Sequence, residues 1–439
     1  MKKFKKLIKK ILRSKFFLPV LEKYIASKIS KINLIPDPRF GILVLDVERF
    51  WPGGLERLGE EVQLYVLPHE CRNFLHSLFF VSEEVSMLRH YNVDDDFILK
   101  EREFVSFLRL LIPRLAAHLG FDCVLTCNYM YIQNKLIAKA CKATHIPFVD
   151  LNRESKQDTR FNDKWKRKYE TLNLHTRFFG NAICVYNENM KRLLCDLDVC
   201  CPEDIYVTGA LQTDTLLKRV RETKNTDTCK QVTLFSFRHM PVSGDNIGYD
   251  GGFCPDGTRG FITLFNNVHS AFAKLAKDNP TIRFVIKLKW SNDWQDYVRG
   301  AVEKSGSSLE ELDNLVVAGE DEDAMDLILA SHFVVGLNST TMLQARMANK
   351  VVIVPYFGEI VDKYPENLQY RDVLSEFVLA RSPEEFVLLI QEHIKGPISL
   401  LPPSPGIFDE YIGFSDGKNL DRVLSVLSKE CDKAKKSAG

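Results

Sequence analysis

No run in this chain approaches the ~20 consecutive apolar residues needed to span a bilayer. No small-residue cleavage site follows an apolar core near the start, because lysines interrupt every candidate core, so a secretory leader is not expected. Charge of one sign is also missing: 59 Lys and Arg stand against 58 Asp and Glu in 439 residues. That balance gives no case for a nucleic-acid partner. The eleven cysteines are scattered, with no pair of C-x-x-C motifs at zinc spacing. They read as reduced, mostly buried thiols of a cytosolic protein. Neither a Walker nor a G-x-G-x-x-G phosphate loop occurs. No D-x-D motif stands in an obvious strand-end position; Asp321 to Asp323 imitates one.

The composition is that of a globular protein, 45% hydrophobic and 27% charged, and the length argues for two domains. The charge is uneven at one end. Residues 1–31 hold eleven Lys or Arg and a single acid, Glu22. Phe4, Leu7, Ile8, Ile11 and Leu12 fall there at helical spacing, followed by Phe16, Phe17 and Leu18. This is the pattern of a basic amphipathic helix lying in an anionic membrane interface, here through residues 1–18.

From Gly41 onward, short apolar runs alternate with helical periods. Strands are expected at Gly41–Asp46, Val62–Leu67, Asp122–Thr126, Ile146–Val149, Ile183–Tyr186 and Tyr206–Val207. A long helix is expected at Glu103–Leu119 and another at Ile132–Ala143. A polar stretch, residues 215–230, reads as the end of one domain and a linker. A second series follows: strands at Val232–Phe237, Arg283–Leu288, Leu315–Ala318, His332–Leu337, Val351–Val354 and Phe377–Leu379. Helices are expected at Phe261–Asp278, Met325–Ala330, Met342–Ala348, Pro383–Lys395 and Asn419–Lys433. Alternation of this kind predicts parallel sheets with helices on both faces. The chain therefore reads as a basic segment (1–35), a Rossmann-like domain (36–218), a second Rossmann-like domain (219–400) and a C-terminal tail with a helix (401–439). Two such domains imply a cleft faced by the carboxyl ends of both sheets.

The residues that follow the strands are thus the candidates for chemistry. Ala330 to Glu359 is the most informative stretch: a buried strand, the turn Asn338-Ser339-Thr340-Thr341, a helix, then a second strand. A strand feeding a hydroxyl-bearing helix start is an anion site, because unpaired N–H groups and the helix dipole point at it. Ser339 or Thr340 acting simply as a helix cap is the alternative. Ser236, Arg238 and His239 follow the first strand of this domain. Lys287 and Lys289 end the next, and Glu320 to Asp323 follow the third. Cations beside a helix start suit a phosphodiester or diphosphate, and Glu359 suits a ribose hydroxyl pair. In the first domain Asp150, Arg153 and Glu154 follow a strand. A carboxylate there, Glu154, is placed to take a proton from an acceptor hydroxyl. Asp46, Glu48, Cys127, Asn128 and Tyr129 are further candidates. The glycine-rich loop Met240–Arg259 has the length of a lid or an acceptor-contacting loop.

Several pieces occur in one order: FVDLNRES (148–155), VYNEN (185–189), YVTGALQTD (206–214), TLFSFRHM (233–240) with FVIKLK (284–289), and VVGLNSTTMLQA (334–345) with VVIVPYFGE (351–359). Together, over roughly residues 120–395, they resemble bacterial capsule and lipopolysaccharide biosynthesis proteins of the GT-B glycosyltransferase fold. Leu211-Gln212 stands where Pro-Arg is common in that family, and Asn152 where His is common. The resemblance implies a metal-independent transferase that needs no cofactor and takes its sugar from a nucleotide-sugar, a CMP-linked sugar such as Kdo or sialic acid being a lead. Ser236, Arg238, Lys287, Lys289, Asn338, Ser339, Thr340, Thr341 and Glu359 would hold the donor. Glu154 and His239 would be catalytic. Asp150, Arg153 and Asn128 would meet a glycan or glycolipid acceptor at the inner face of the cytoplasmic membrane. Two other readings are a nucleotide-sugar 2-epimerase on the same fold and a non-catalytic subunit that partners another transferase. A polyol-phosphate transferase of the teichoic-acid type would need a His where Asn152 stands.

Overall fold

The computed structural model describes residues 11–47, 54–80, 95–153, 177–223, 230–237, 261–289, 293–319, 322–365, 368–396 and 402–438. The chain divides into two compact units, Met1–Thr215 with Asp409–Gly439, and Leu216–Phe408. Each is an α/β Rossmann-like domain built on a parallel sheet.

Unit 1 opens with α1 (Leu18–Lys28) and β1 (Ser30–Lys31), followed by β2 (Gly41–Val44), α2 (Gly54–Leu58), β3 (Gln63–Val66) and α3 (His69–Phe79). Then come α4 (Asp95–Leu119), β4 (Cys123–Thr126), α5 (Ile132–Ala143), β5 (Phe148–Leu151), β6 (Ala182–Val185), α6 (Glu188–Asp196) and β7 (Ile205–Val207). The strand order is β1-β3-β2-β4-β5-β6-β7. Only the edge pair β1–β3 runs antiparallel. Strands β2 to β6 are buried along their whole length. That is why they read as unbroken apolar runs rather than alternating ones.

The chain leaves unit 1 within α7 (Leu211–Glu222). The sequence reading placed a polar linker from residue 215. Instead the helix continues, because Leu216 is fully buried and Arg219 pairs with Asp323 at 3.2 Å and Asp326 at 2.8 Å.

Unit 2 carries β8 (Gln231–Phe235), α8 (Ile262–Asp278), β9 (Arg283–Lys287), α9 (Asp293–Glu303), β10 (Leu315–Ala318) and α10 (Ala324–Ala330). Next are β11 (Phe333–Gly336), α11 (Thr340–Met347), β12 (Val351–Pro355), α12 (Glu359–Asp362), β13 (Val378–Ala380) and α13 (Pro383–Lys395). All pairs are parallel, in the order β10-β9-β8-β11-β12-β13. Numbered within the unit this is 3-2-1-4-5-6, the order of dinucleotide-binding folds.

The chain ends with α14 (Asp409–Ile412) and α15 (Asn419–Ala438). The tail expected over 401–439 is not a separate piece. Leu420, Val423, Leu424 and Leu427 of α15 share one core with Ile42, Leu125 and Val149 of the unit 1 sheet. Asn187 donates to the Tyr411 carbonyl at 2.9 Å, and Asp214 accepts from the Leu420 N–H at 2.9 Å. Gly413, at φ +79°, is required there, since a Cβ would collide with the Tyr186 carbonyl oxygen. Amphipathic periodicity announces such a helix but not the surface that its apolar face will cover.

Candidate functional site

In unit 2 the strand order reverses between β8 and β11, which pair as Phe333↔Val232 through Gly336↔Phe235. The carboxyl ends of two strands that part in this way are where ligands of open α/β sheets sit. Asn338 follows β11 with φ +52°, a left-handed conformation that Asn tolerates better than most residues. Its Oδ1 accepts from the Gln369 N–H at 2.8 Å, which ties this turn to the segment before Arg371. Ser339 then caps α11: its Oγ accepts from the Thr341 N–H at 3.4 Å and from the Thr341 hydroxyl at 2.8 Å. Asn338 to Thr341 are all partly exposed. Among the described residues, two buried nitrogens of Arg371, Nε and Nη2, have no hydrogen-bond partner. Sequence reasoning missed Arg371, because it belongs to a 3-10 turn with no strand before it.

Other expected donor residues have different occupations. Ser236 is 4% exposed, and its hydroxyl lies between Trp294 and His269. Trp294 Nε1–H donates to Ser236 Oγ at 3.0 Å, and Ser236 Oγ lies 3.1 Å from His269 Nε2. His269 Nδ1 is 2.7 Å from the Phe265 carbonyl, an acceptor, so Nδ1 carries the proton and Nε2 accepts from the serine. Ser236 is therefore a structural node rather than an open phosphate ligand. Glu359 likewise has a structural role in the fold. Its carboxylate accepts from the Thr263 N–H at 2.9 Å and the Leu264 N–H at 2.6 Å, capping α8 from 95 residues away. Lys287 donates to the Gly319 carbonyl, while Lys289 is exposed. Arg238 and His239 lie outside the described residues, as do Glu320, Asp321 and the loop 240–259.

Unit 1 has its own reversal, between β2 and β4, paired as Val44↔Leu125. Asp46 follows β2 at φ +54° and is 1% exposed. It forms a buried ion pair with Arg72 of α3. Asp46 Oδ2 also accepts from Thr126 Oγ1 at 3.0 Å and Asn134 Nδ2 at 2.6 Å. Asn134 Nδ2 further approaches the Asn128 carbonyl at 2.9 Å. Thr126 registers with Asp150 of β5, placing a second carboxyl next to this cluster. Asp150 is fully buried, and neither oxygen has a hydrogen-bond partner of normal geometry. Burial pushes its carboxyl well above the usual range, and nearby Asp46 pushes it further. The Tyr129 backbone and the Asn152 amide oppose this shift without offsetting it. Asp150 thus has its carboxyl pushed up by burial, beside a carboxylate that is held in a salt bridge.

The expected acceptor residues Asn128, Asp150 and Arg153 are brought to one edge: Arg153 N–H donates to the Cys127 carbonyl at 3.4 Å. Arg153 also lines a small hollow of about 30 Å³ with Asn152, Tyr186, Gly209 and Gln212. That is room for about one water. Glu154, like Glu48, lies outside the described residues. Arg72, Thr126 and Asn134 were missed by the sequence reading: two sit within helices and one within a strand, where side-chain chemistry leaves no local signature. A wider hollow of about 600 Å³, lined by Tyr206, Thr208, Lys191, Lys418 and Arg422, involves no expected site residue. Among the described residues no cluster of His, Cys, Asp or Glu is arranged to hold a metal ion. Nine free cysteines are described, six of them buried.

No family model matches this chain. No curated protein matches it either. Several solved structures are similar to it along most of the chain. UDP-GlcNAc 2-epimerase from Neisseria meningitidis, bound to UDP-GlcNAc, is 13% identical over 89% of this chain and 100% of that one, with a TM-score of 0.45. The enzyme of that name from Methanocaldococcus jannaschii is 10% identical over 89% and 99%, at 0.48. The wall teichoic acid polymerase TagF is 10% identical over 98% and 97%, at 0.43. At these identities the likeness concerns fold alone.

Proposed function

We propose that the protein is an enzyme of nucleotide-sugar chemistry that transfers a glycosyl group to a glycan or glycolipid acceptor of a bacterial surface polysaccharide. The observation that carries this reading is the turn Asn338–Ser339 opening α11 beside the strand reversal of unit 2. The N–H groups of Thr340 and Thr341, with Lys289 and the unpartnered nitrogens of Arg371, are the donors for the phosphates of the nucleotide. Unit 1 takes the acceptor at Asn128, Asp150 and Arg153. In the transfer the acceptor hydroxyl oxygen bonds to the anomeric carbon, and the carbon–oxygen bond to the phosphate breaks. The electron pair leaves with the nucleotide. Glu154 takes the hydroxyl proton, and His239 is the second catalytic candidate. Cations and the helix start offset the phosphate charge, so this chemistry calls for no metal or cofactor.

One observation favours a second reading, a nucleotide-sugar 2-epimerase. Asp46, ion-paired with Arg72, and Asp150, whose carboxyl is pushed up by burial and by Asp46, are adjacent carboxyls in different environments. Such a pair suits removal and return of a proton on a single substrate.

One experiment separates the readings. The protein is incubated with CMP- and UDP-sugars in deuterated water, with and without a lipid-linked glycan. Acceptor-dependent release of the nucleotide supports transfer. Acceptor-independent deuterium at C2 of the sugar supports epimerisation and ends the transferase reading. Absence of both, with no thermal shift by any nucleotide-sugar, leaves a non-catalytic subunit.

A further inference from the structure

Helix α1 has two apolar faces. Leu18, Leu21, Ile25 and Ala26 are buried in the core of unit 1. Val20 and Tyr24 on the opposite side, and Phe16 in the turn just before the helix, recur every four residues and are 62%, 48% and 85% exposed. Ile32 and Leu34, beyond β1, are 52% and 82% exposed. Isolated apolar residues on a surface are ordinary, but a stripe at helical spacing on an otherwise packed helix is not.

The charges around this stripe are sorted. Lys15, Lys23, Lys28 and Lys31 are exposed. The only acid of the first 31 residues, Glu22, turns inward: its side chain is 15% exposed and meets Arg114 at 3.6 Å and His118 at 3.1 Å on α4. Arg13 also turns inward. Its Nε donates to the Leu78 carbonyl at 2.8 Å, and its guanidinium lies 4.4 Å from the Phe79 ring and 3.7 Å from Glu103. On the flanking helices Glu103 faces Arg13; burial and then exposed Glu70, at the start of α3, push the Cys71 thiol up while Lys28 opposes them. Folding has therefore engaged the one acid of this segment with Arg114 and His118 and left an aromatic and aliphatic stripe among lysines.

We propose that this face of unit 1, centred on Phe16, Val20 and Tyr24, docks on an anionic bilayer surface. The stripe enters the headgroup layer, and the lysines stay at the level of the lipid phosphates with their stems along the apolar boundary. A protein partner would have to cover the stripe and supply counter-charge to four lysines at once; an anionic lipid surface does both. The proposal rests on the packing of α1 alone and is independent of the transferase reading. It extends the membrane contact expected of residues 1–18 to a surface of the folded domain.

The test is flotation of the full-length protein with vesicles of phosphatidylcholine, with and without phosphatidylglycerol. Binding is expected only to the anionic vesicles and weakens as salt is raised. Phe16→Glu and Val20→Glu each lower vesicle affinity roughly tenfold. Charge reversal of Lys15, Lys23 and Lys28 lowers it on the order of fivefold per lysine. These side chains are exposed, and an unchanged far-UV spectrum and Tm verify the fold. Equal binding to neutral vesicles, or unchanged binding by the variants, overturns the proposal. So does light scattering in which the wild type is dimeric and Phe16→Glu monomeric, for that face would then be a protein interface.

Discussion

Arg72 and Asp46 form an ion pair shut away from water, with side chains 5% and 1% exposed, at the point where the unit 1 strand order reverses. Thr126 and Asn134 satisfy the second oxygen of the same carboxylate. Removing one member of such a pair strands the other charge. Arg72→Met should destabilise unit 1 by about 3–5 kcal/mol in urea unfolding. Arg72→Met with Asp46→Asn should recover much of that loss, since the neutral pair leaves no buried charge. Equal losses in the single and double variants would show the pair to be uncoupled.

Asp150 makes stability depend on pH. Its folded pKa is raised, so the unfolded chain gives up this proton at lower pH than the folded protein. The favourable contribution is complete below the unfolded carboxylate pKa and is lost as pH rises through the folded one. Asp150→Asn should therefore flatten the fall of stability with rising pH and be the more stable form at neutral and alkaline pH. Thermal melts at several pH values read this directly. Parallel profiles for the two proteins would mean that Asp150 ionises normally.

Lys135 on α5 acts in the opposite direction. Burial, with nearby Lys139, pulls its ammonium down to about 7 from 10.5. Between those values the unfolded chain holds the proton and the folded chain does not, so stability rises with pH across that window. Lys135→Met should remove the rise and stabilise the protein at and below neutral pH, as seen in chemical denaturation at graded pH.

Glu359 separates a structural role from a binding one. Because its carboxylate caps α8, Glu359→Ala should cost about 1–2 kcal/mol of stability. Nucleotide affinity, measured calorimetrically well below the Tm, should stay unchanged. A large loss of affinity at unchanged stability would return Glu359 to the ribose.

Arg371 is expected to behave in the reverse manner. Among the described residues its Nε and Nη2 have no hydrogen-bond partner, and in the proposed site a nucleotide phosphate would supply one. Arg371→Met should weaken nucleoside diphosphate binding roughly tenfold or more, with little change in Tm. Unaltered binding by calorimetry would remove it from the site.

Some of the candidate site was legible before folding. Asn338 to Thr341 could be placed at a strand end because a Val-rich run, a hydroxyl turn and a helix are written consecutively. Other contacts were not legible, for one reason. Ser236 and Glu359 also follow strands, but their roles are set by Trp294, His269, Thr263 and Leu264, which are distant in sequence. Arg72, Asn134 and Asp46 form a cluster only after three separate segments meet. A side chain's partners, unlike its periodicity, are not local properties.

The sequence by itself determined the α/β class, the two parallel sheets and most strand positions. Buried strands and amphipathic helices impose their period on neighbouring residues, and that pattern is readable in one dimension. Tertiary structure alone decided that α15 completes the core of unit 1, that Glu22 pairs with Arg114 and His118, and that Asp150 is buried beside Asp46. Those outcomes depend on which surfaces exclude water from which groups, and exclusion is a property of the folded volume, set by residues hundreds of positions apart.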